Sequence, residues 1–193
     1  MTSQPPTPSD PCTIFQIPQT PTGLTFYLTH YRPFRLRMLR EDQKSFSRSY
    51  AAVSTYPSSF WEERFTNPIA RTFVALAPSP NPDTEPTLLS CLTLCGPCEP
   101  LGTPPMDAKW EIHGMWTAPE YRRRGFGREV VKAAMEWAGQ ESRGMGRGCV
   151  VRLYMMGGNE EASAFYESVG MEKLGSGHGG EWGFERRVET GFH

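Results

Sequence analysis

Residues 109–138 of the chain are KWEIHGMWTAPEYRRRGFGREVVKAAMEWA, and this stretch decides the fold. Its first nine residues are rich in β-branched and aromatic side chains and end before Ala118-Pro119, which predicts a strand that stops at a turn. Beyond Gly127, apolar residues recur at offsets of 3, 4, 7 and 8 between Val130 and Ala138, which is one face of a helix. The stretch therefore predicts a strand, a glycine turn and a helix.

The glycine turn has the properties of an anion site. Gly125 and Gly127 have no side chains, so a bulky anion can approach the backbone closely. The N–H groups of the first helical turn have no acceptors within the helix, and the helix dipole favours negative charge there. A dinucleotide fingerprint needs a small residue where Val130 stands, and no P-loop Gly-Lys-Ser/Thr follows. We therefore predict a different pyrophosphate site, with positive charge from Arg122, Arg123, Arg124 and Arg128.

A second pattern begins at Asn159, which suits a helix N-cap and is followed by two glutamates that favour the positive helix end. Apolar residues then repeat at offsets of 3, 4 and 7, and Gly170 suits the helix stop. The pattern includes Asn159, Ala162, Phe165 and Tyr166.

With both patterns in place, the chain resembles the GCN5-related N-acetyltransferase (GNAT) family. Residues 122–127 fit the family's Gln/Arg-x-x-Gly-x-Gly/Ala, and residues 159–171 fit its Asn-x-x-Ala-x-x-Phe/Tyr-Tyr-x-x-x-Gly-Phe. The resemblance covers about residues 109–175, and the N-terminal half fits only in its order of strands and helices. It implies a mixed α/β fold with a mostly antiparallel twisted sheet of about six or seven strands. Two parallel central strands would splay apart, and about four helices would flank the sheet.

The resemblance implies that the coenzyme is acetyl-CoA. The glycine turn would bind its pyrophosphate, and the backbone of residues 115–117 would pair with the pantetheine arm. The N–H of Met115 would polarise the thioester carbonyl, beside a β-bulge for which Gly114 is a plausible place. The expected coenzyme-binding residues are Met115, Trp116, Thr117, Arg122, Arg123, Arg124, Gly125, Phe126, Gly127, Arg128, Asn159, Ala162 and Phe165.

Two residues are candidates for the base that deprotonates the amine. Glu111 and His113 are two apart on one predicted strand, so their side chains share a face. The resemblance supports Glu111 through histone-modifying members, whose glutamate precedes the loop motif by eleven residues, and His113 through arylalkylamine members. The alternative to catalysis is that Glu111 is a solvent-exposed strand residue and that His113 is a half-buried imidazole with its hydrogen bonds made. The choice between the two bases stays open. Tyr166 would be the acid for the leaving thiolate, with core packing as its alternative.

The acceptor is less well defined. Helices after the first strand would form one wall of its pocket, with Tyr56, Phe60 and Trp61, and also Tyr50, as candidates; packing on the sheet is the alternative for each. The resemblance implies an acetyl-CoA-dependent N-acetyltransferase that uses direct attack by a primary amine in a ternary complex. We expect a small-molecule amine. A protein lysine or N-terminal acetyltransferase is the alternative, and a catalytically silent CoA-binding module is a third possibility.

The remaining sequence predicts one domain over residues 23–193 after a proline-rich flexible tail over residues 1–22. Residues 24–28 are expected to be extended and residues 34–40 to form a half-exposed strand. Asp42 is expected to cap a helix that reaches about Val53. We also predict a helix over residues 58–65 and strands over 71–77, 87–95, 149–156, 171–174 and 181–188. An exposed loop is expected over residues 78–86, and an ordered loop or lid over residues 96–107.

Composition excludes several classes of function. The net charge of -1 gives no basic field for nucleic acid, and no stretch is long and apolar enough to span a membrane. The N-terminus lacks the pattern of a signal peptide, which favours the cytoplasm. Five cysteines without a secretion signal favour free thiols, and strand packing is favoured over a metal site for Cys91, Cys95 and Cys98. We expect a monomer or homodimer.

Overall fold

A single sheet organises the chain in the computed structural model, which describes residues 12–77, 86–98, 106–176 and 181–189. Seven strands lie in the order β1-β2-β3-β4-β5-β7-β6 within these described ranges. Neighbours are antiparallel except β4 and β5, which are parallel. The strands are β1 (Thr13–Gln16), β2 (Ala70–Leu76), β3 (Leu88–Cys95), β4 (Asp107–Thr117), β5 (Gly148–Met156), β6 (Glu172–Ser176) and β7 (Glu181–Val188).

Helices cover both faces of this sheet. The first two are continuous through a π-helical turn at Tyr27–Tyr31, and short 3-10 turns occupy Gln43–Ser45 and Pro119–Tyr121. None of the helices in the described ranges is long and apolar enough to cross a membrane. The helices are α1 (Pro21–Phe26), α2 (Arg32–Glu41), α3 (Tyr50–Ser54), α4 (Ser58–Thr66), α5 (Phe126–Gly144) and α6 (Glu160–Ser168).

The two faces bury separate apolar clusters because side chains alternate along each strand. On β2, Phe73 and Ala75 belong to the cluster beneath α5 and α6, whereas Val74 belongs to the cluster beneath α1 to α4. The largely apolar composition of β2 and β3 is thus explained by burial on both faces. The predicted mixed, mostly antiparallel sheet is confirmed.

The parallel pair β4 and β5 separates partway along its length. Pairing runs from Asp107 opposite Gly148 to Ile112 opposite Leu153, and beyond Ile112 the rest of β4 has no partner on β5. Among the residues that the structure describes, the β5-facing edge of residues 113–117 therefore has no strand partner. Because α5 begins soon after β4 ends, the opening between the two strands lies close to the first turn of α5.

A β-bulge at Gly114 changes which face the end of β4 presents. Cys91 lies opposite Trp116 and Thr93 opposite His113, so one residue on β4 is extra, and Gly114 has a φ of 58°. Before the bulge, Trp110 and Ile112 pack in the α5 cluster; after it, Trp116 packs in the α2 cluster although its number is also even. The predicted bulge is confirmed, and it turns Trp116 toward α2.

Trp110 provides a stability test of this core. It is 2% exposed, its indole N–H donates to Ser142 Oγ at 2.9 Å, and its ring packs against Trp137. We expect Trp110→Ala to lower the free energy of unfolding by about 3–5 kcal/mol, because it leaves a cavity and removes the hydrogen bond to Ser142. Urea unfolding measures this, with Tyr154→Ala, at a 51% exposed side chain, as the control. A loss from Trp110→Ala no larger than the control's would contradict the packing described.

The prediction of a strand over residues 34–40 is wrong, because these residues lie in α2. Phe34, Met38 and Leu39 are buried against the sheet, which is a helical spacing, while Leu36 is only half-buried. The predicted extended segment over residues 24–28 is wrong for the same reason, since it spans α1 and the π-helical turn.

Two further expectations at the N-terminus are corrected. Residues 12–22 are not a tail: β1 pairs with β2 at the sheet edge, and Thr20 caps α1 through its hydroxyl. Asp42 caps no helix with its side chain, and Ser49 caps α3 instead. The predicted strands over 71–77, 87–95, 149–156, 171–174 and 181–188 and the helix over 58–65 are confirmed with small shifts at their ends. The remaining tail and loop predictions fall mostly on residues 1–11, 78–85 and 99–105, which lie outside the described ranges, and the last residue of the second predicted loop, Asp107, begins β4.

Candidate active site

The glycine turn between β4 and α5 presents free backbone donors. Gly125 has a φ of 88°, a left-handed conformation that suits glycine, and it stands at the N-cap of α5. Glu129 N–H makes the first helical bond, to Gly125 O, so the three preceding N–H groups have no acceptor within the helix. Arg123 also has a positive φ of 62°, which places the whole turn in an unusual backbone conformation.

Gly127 is favoured by close packing. A Cβ there would lie 2.7 Å from Met115 Cε and 3.0 Å from Thr117 Oγ1, both on β4. It would also touch Phe165 of α6 at 3.5 Å. The two sequence motifs therefore meet at this point, with Phe126 buried beneath them at 2% exposure.

The arginines around the turn differ in what they contact. Arg122 binds Asp42 Oδ2 at 2.5 Å and Thr117 O at 3.0 Å, and Arg128 donates to the Ser168 carbonyl and hydroxyl on α6. Arg124 lies over the rings of Tyr121 and Phe126. Arg123 is exposed. Within the described ranges, Arg122, Arg124 and Arg128 thus make intramolecular contacts around the turn. All four arginines add positive charge near it.

Glu111 and His113 lie together on the α2 side of β4, as their spacing predicted. His113 Nε2 is 3.3 Å from Glu111 Oε2, and 48% of the imidazole side chain and 31% of the carboxylate side chain are exposed. Partial burial lowers the pKa of His113 below its ordinary value of 6.5, and the charges of Arg64 and Arg35 lower it further, whereas Glu111 raises it. The imidazole is therefore neutral near pH 7 and able to accept a proton.

Tyr166 is 9% exposed and packs between Phe165 and Phe184. Burial raises the pKa of its hydroxyl well above the ordinary value of 10.0, so it stays protonated. No residue within the described ranges accepts or donates a hydrogen bond at this hydroxyl. Asn159 caps α6 by accepting from Ala162 N–H at 3.0 Å, and its amide donates to Ser45 Oγ at 3.3 Å. The capping role predicted for Asn159 is thus confirmed.

The candidate acceptor residues are divided. Trp61 is 1% exposed and belongs to the core beneath α1 to α4, whereas Tyr56 and Phe60 are half-buried, with ring centroids 4.3 Å apart. Phe60 and Trp61 line a small cavity between α2, α3 and α4. Tyr50 also packs against the same core. The substrate-binding roles of these residues stay predictions.

Sequence reasoning missed four polar residues around this site. Asp42 accepts from both Trp116 Nε1 and Arg122, and so connects the end of α2 to β4 and to the glycine turn. Arg35, Arg48 and Arg64 line the cavity beside Phe60. No short motif contains these arginines, because α2, α4 and the segment before α3 each contribute one.

Comparison with known proteins supports the family expected from the motifs. A sequence model described as Acetyltransferase (GNAT) family matches residues 95–171. The N-alpha-acetyltransferase RimI of Mycobacterium tuberculosis is 34% identical over 73 residues, which are 38% of this chain and 40% of that protein. The match thus spans less than half the length of this relative.

Solved structures share the fold over nearly the whole chain. A domain from Methanocaldococcus jannaschii has a TM-score of 0.61 at 16% identity, covering 93% of this chain and 100% of that one. Arabidopsis thaliana NAA60 in complex with a bisubstrate analogue has a TM-score of 0.60 at 15% identity, covering 92% and 99%. The chain thus matches the acetyltransferase (GNAT) family model over residues 95–171, where both sequence motifs lie, and it shares its overall fold with these solved structures.

Proposed function

We propose that the chain is an acetyl-CoA-dependent N-acetyltransferase that moves an acetyl group to the primary amine of a small molecule. One observation carries this proposal: β4 and β5 separate beside the free N–H groups of α5, and the Glu111–His113 pair lies on the same stretch of β4. The reaction would be a direct attack in a ternary complex. The relative RimI is named as an N-alpha-acetyltransferase, which agrees with acetyl transfer to an amine.

The residues of the turn fit the coenzyme. The N–H groups of residues 126–128 would donate to the pyrophosphate, and the arginines nearby favour its charge. The unpaired β5-facing edge of residues 115–117 would hydrogen-bond the pantetheine arm. A related fold, Arabidopsis thaliana NAA60, has been solved in complex with acetyl-CoA. Acetyl-CoA supplies an activated thioester, and the protein would supply the base, the donor to the carbonyl oxygen and the acid.

Three groups of this chain would carry the chemistry. Neutral His113 accepts the amine proton, directly or through water, with Glu111 holding the imidazole and favouring its charged form after transfer. The N–H of Met115, next to the bulge, donates to the carbonyl oxygen as charge develops there. The hydroxyl of Tyr166 keeps its proton at neutral pH and donates it to the departing sulfur. No covalent intermediate on the protein is needed.

Tyr166→Phe tests the acid. It removes one oxygen and keeps the ring that packs against Phe184. We expect turnover to fall about ten-fold or more, because a positioned acid contributes at least that much, while the dissociation constant of acetyl-CoA stays unchanged. Steady-state release of free thiol measures the turnover. Tyr154→Phe, at an exposed tyrosine on β5, is the matched control. A wild-type rate in Tyr166→Phe would remove this residue from the mechanism.

The proposed function itself is tested by calorimetry and thiol release. Acetyl-CoA should bind with a stoichiometry of one, and a panel of amines should then release free CoA. Binding without release from any amine or peptide would favour the catalytically silent module. Acetylation of peptide lysines or N-termini without acetylation of free amines would favour a protein substrate, the candidate that the name of RimI supports.

A further inference from the structure

A cluster of arginines lines the cavity between α2, α3 and α4. Arg35 comes from α2, Arg64 from α4, and Arg48 from the segment before α3. The cavity measures about 10 Å³, and its apolar wall includes Phe60 and Trp61. Three arginines thus line one small, partly enclosed space.

These three arginines lack a neutralising carboxylate within the described ranges. Arg35 Nη1 approaches Met38 Sδ and Gly114 O, both at 3.4 Å. Arg48 Nη1 approaches the Tyr56 hydroxyl at 3.4 Å, and Arg64 interacts with the hydroxyl of Tyr27. All of these partners are neutral. Like charges held together without a counter-ion are costly, so the cluster is expected to bind an anion.

The cluster adjoins the candidate catalytic pair. Arg35 lies so close to the bulge that a Cβ on Gly114 would come within 1.8 Å of its Nη1. His113 is the residue before this glycine, and it is electrostatically coupled to both Arg35 and Arg64. An anion in the cavity would therefore lie beside the group that is to deprotonate the amine.

Trp61 adds an independent sign of a missing partner. Its side chain is 1% exposed and lines the same cavity. Its indole N–H is buried and has no hydrogen-bond partner among the residues that the structure describes. A buried donor without an acceptor is destabilising, so such a donor in a residue that lines a cavity indicates a ligand atom or water that would accept its hydrogen bond.

We propose that the Arg35–Arg48–Arg64 cluster binds a carboxylate of the acceptor, and that the acceptor is a small amine bearing that carboxylate, as an amino acid does. This inference rests on the proposed function. A carboxylate fits because it is planar, compact and able to pair with arginine through two hydrogen bonds. The cavity's volume of about 10 Å³ is close to that of one water-sized oxygen, so a compact carboxylate would require less movement of the lining side chains than a larger phosphate ester would.

Matched acceptors test the proposal. Each of the common amino acids is compared with its carboxamide, which keeps the amine and the side chain and removes the negative charge. The carboxamide's amine is less basic, so intrinsic reactivity at neutral pH favours the carboxamide. We nevertheless expect kcat/KM for at least one amino acid to exceed that for its carboxamide by about 100-fold, because a site built for a polar group rejects the analogue that lacks it.

Substitution of individual arginines tests whether this cluster causes the preference for the amino acid over its carboxamide. Arg48→Gln changes an exposed side chain and leaves the core intact, and Arg64→Gln changes the half-buried one. Both should reduce the preference for the amino acid to within about ten-fold, and Arg64→Lys should retain part of it. Arg40→Gln, at an exposed arginine of α2 outside the cavity, is the matched control and should keep the wild-type preference.

The outcomes separate this proposal from the proposed function. Acetyl transfer with no preference for the amino acid over its carboxamide would overturn the carboxylate site and leave acetyltransferase activity standing, as would activity on peptides alone. If no acceptor releases thiol, binding of N-acetylglycine and N-acetylglycinamide is compared by calorimetry. Tighter binding of N-acetylglycine that is lost in Arg64→Gln would support the site, and equal or absent binding of the two would overturn it.

Discussion

Replacing Gly125 by aspartate is expected to weaken acetyl-CoA binding by at least about 100-fold. The residue stands in a left-handed conformation at the start of α5, where the free N–H groups are the proposed donors to the pyrophosphate. A carboxylate here would lie within a few ångströms of the phosphates. Repulsion between unit charges about 4 Å apart near a protein surface is about 4 kcal/mol, more than a 100-fold effect needs. Calorimetric titration with acetyl-CoA measures the loss.

Gly125→Asn is the matched control, since asparagine has nearly the same shape as aspartate and no charge. Both residues tolerate the left-handed region better than other side chains do. We therefore expect similar melting temperatures for the two variants and a much smaller loss of affinity for Gly125→Asn. Equal affinities in Gly125→Asp and the wild type would mean that the coenzyme's phosphates bind elsewhere.

The second large effect is expected at His113. Replacement by glutamine removes the proposed base and should lower kcat by about 100-fold or more, the usual contribution of a positioned base. The pH dependence of activity provides a second test of the same residue. Protonation of the imidazole abolishes its function, so wild-type activity should be lost as the pH falls through the pKa of His113. Because burial, Arg64 and Arg35 lower this pKa, the midpoint should lie below 6.5.

Glu111→Gln distinguishes the two candidate bases. Glu111 raises the pKa of His113, so its replacement should move the acidic limb of the profile to lower pH while much of the activity remains. This limb should disappear in His113→Gln. Abolition of activity in Glu111→Gln, together with near-normal activity in His113→Gln, would instead identify Glu111 as the base.

The C-terminal half of the fold was predictable because its signals are local. A glycine turn needs particular residues at particular positions, and the N-cap at Asn159 is a side chain bonding three residues ahead. The helix α2 was not predictable in this way. Its apolar residues at 34, 36 and 38 alternate with arginines, which is a strand pattern. The helix forms because tertiary packing buries Phe34, Met38 and Leu39, which lie on one helical face.

The candidate site follows the same rule: its local contacts were predictable, and its contacts between distant segments were not. Glu111 and His113 share a strand face, so their contact follows from a spacing of two residues. The arginine cluster depends on how α2, α4 and the segment before α3 pack together, and no spacing in the sequence encodes that. Asp42 is similar: its partners Trp116 and Arg122 lie 74 and 80 positions away. Electrostatic contacts between distant segments become visible only once the helices are placed.

The bulge at Gly114 affects how positions are to be matched between this protein and its relatives. At the bulge, β4 contains one residue more than the stretch of β3 that it pairs with. The eleven-residue interval between Glu111 and Arg122 includes that extra residue. A homologue whose equivalent strand is regular would carry its counterpart of Glu111 ten residues ahead of the loop, and an alignment without a gap there would assign the role to the wrong neighbour.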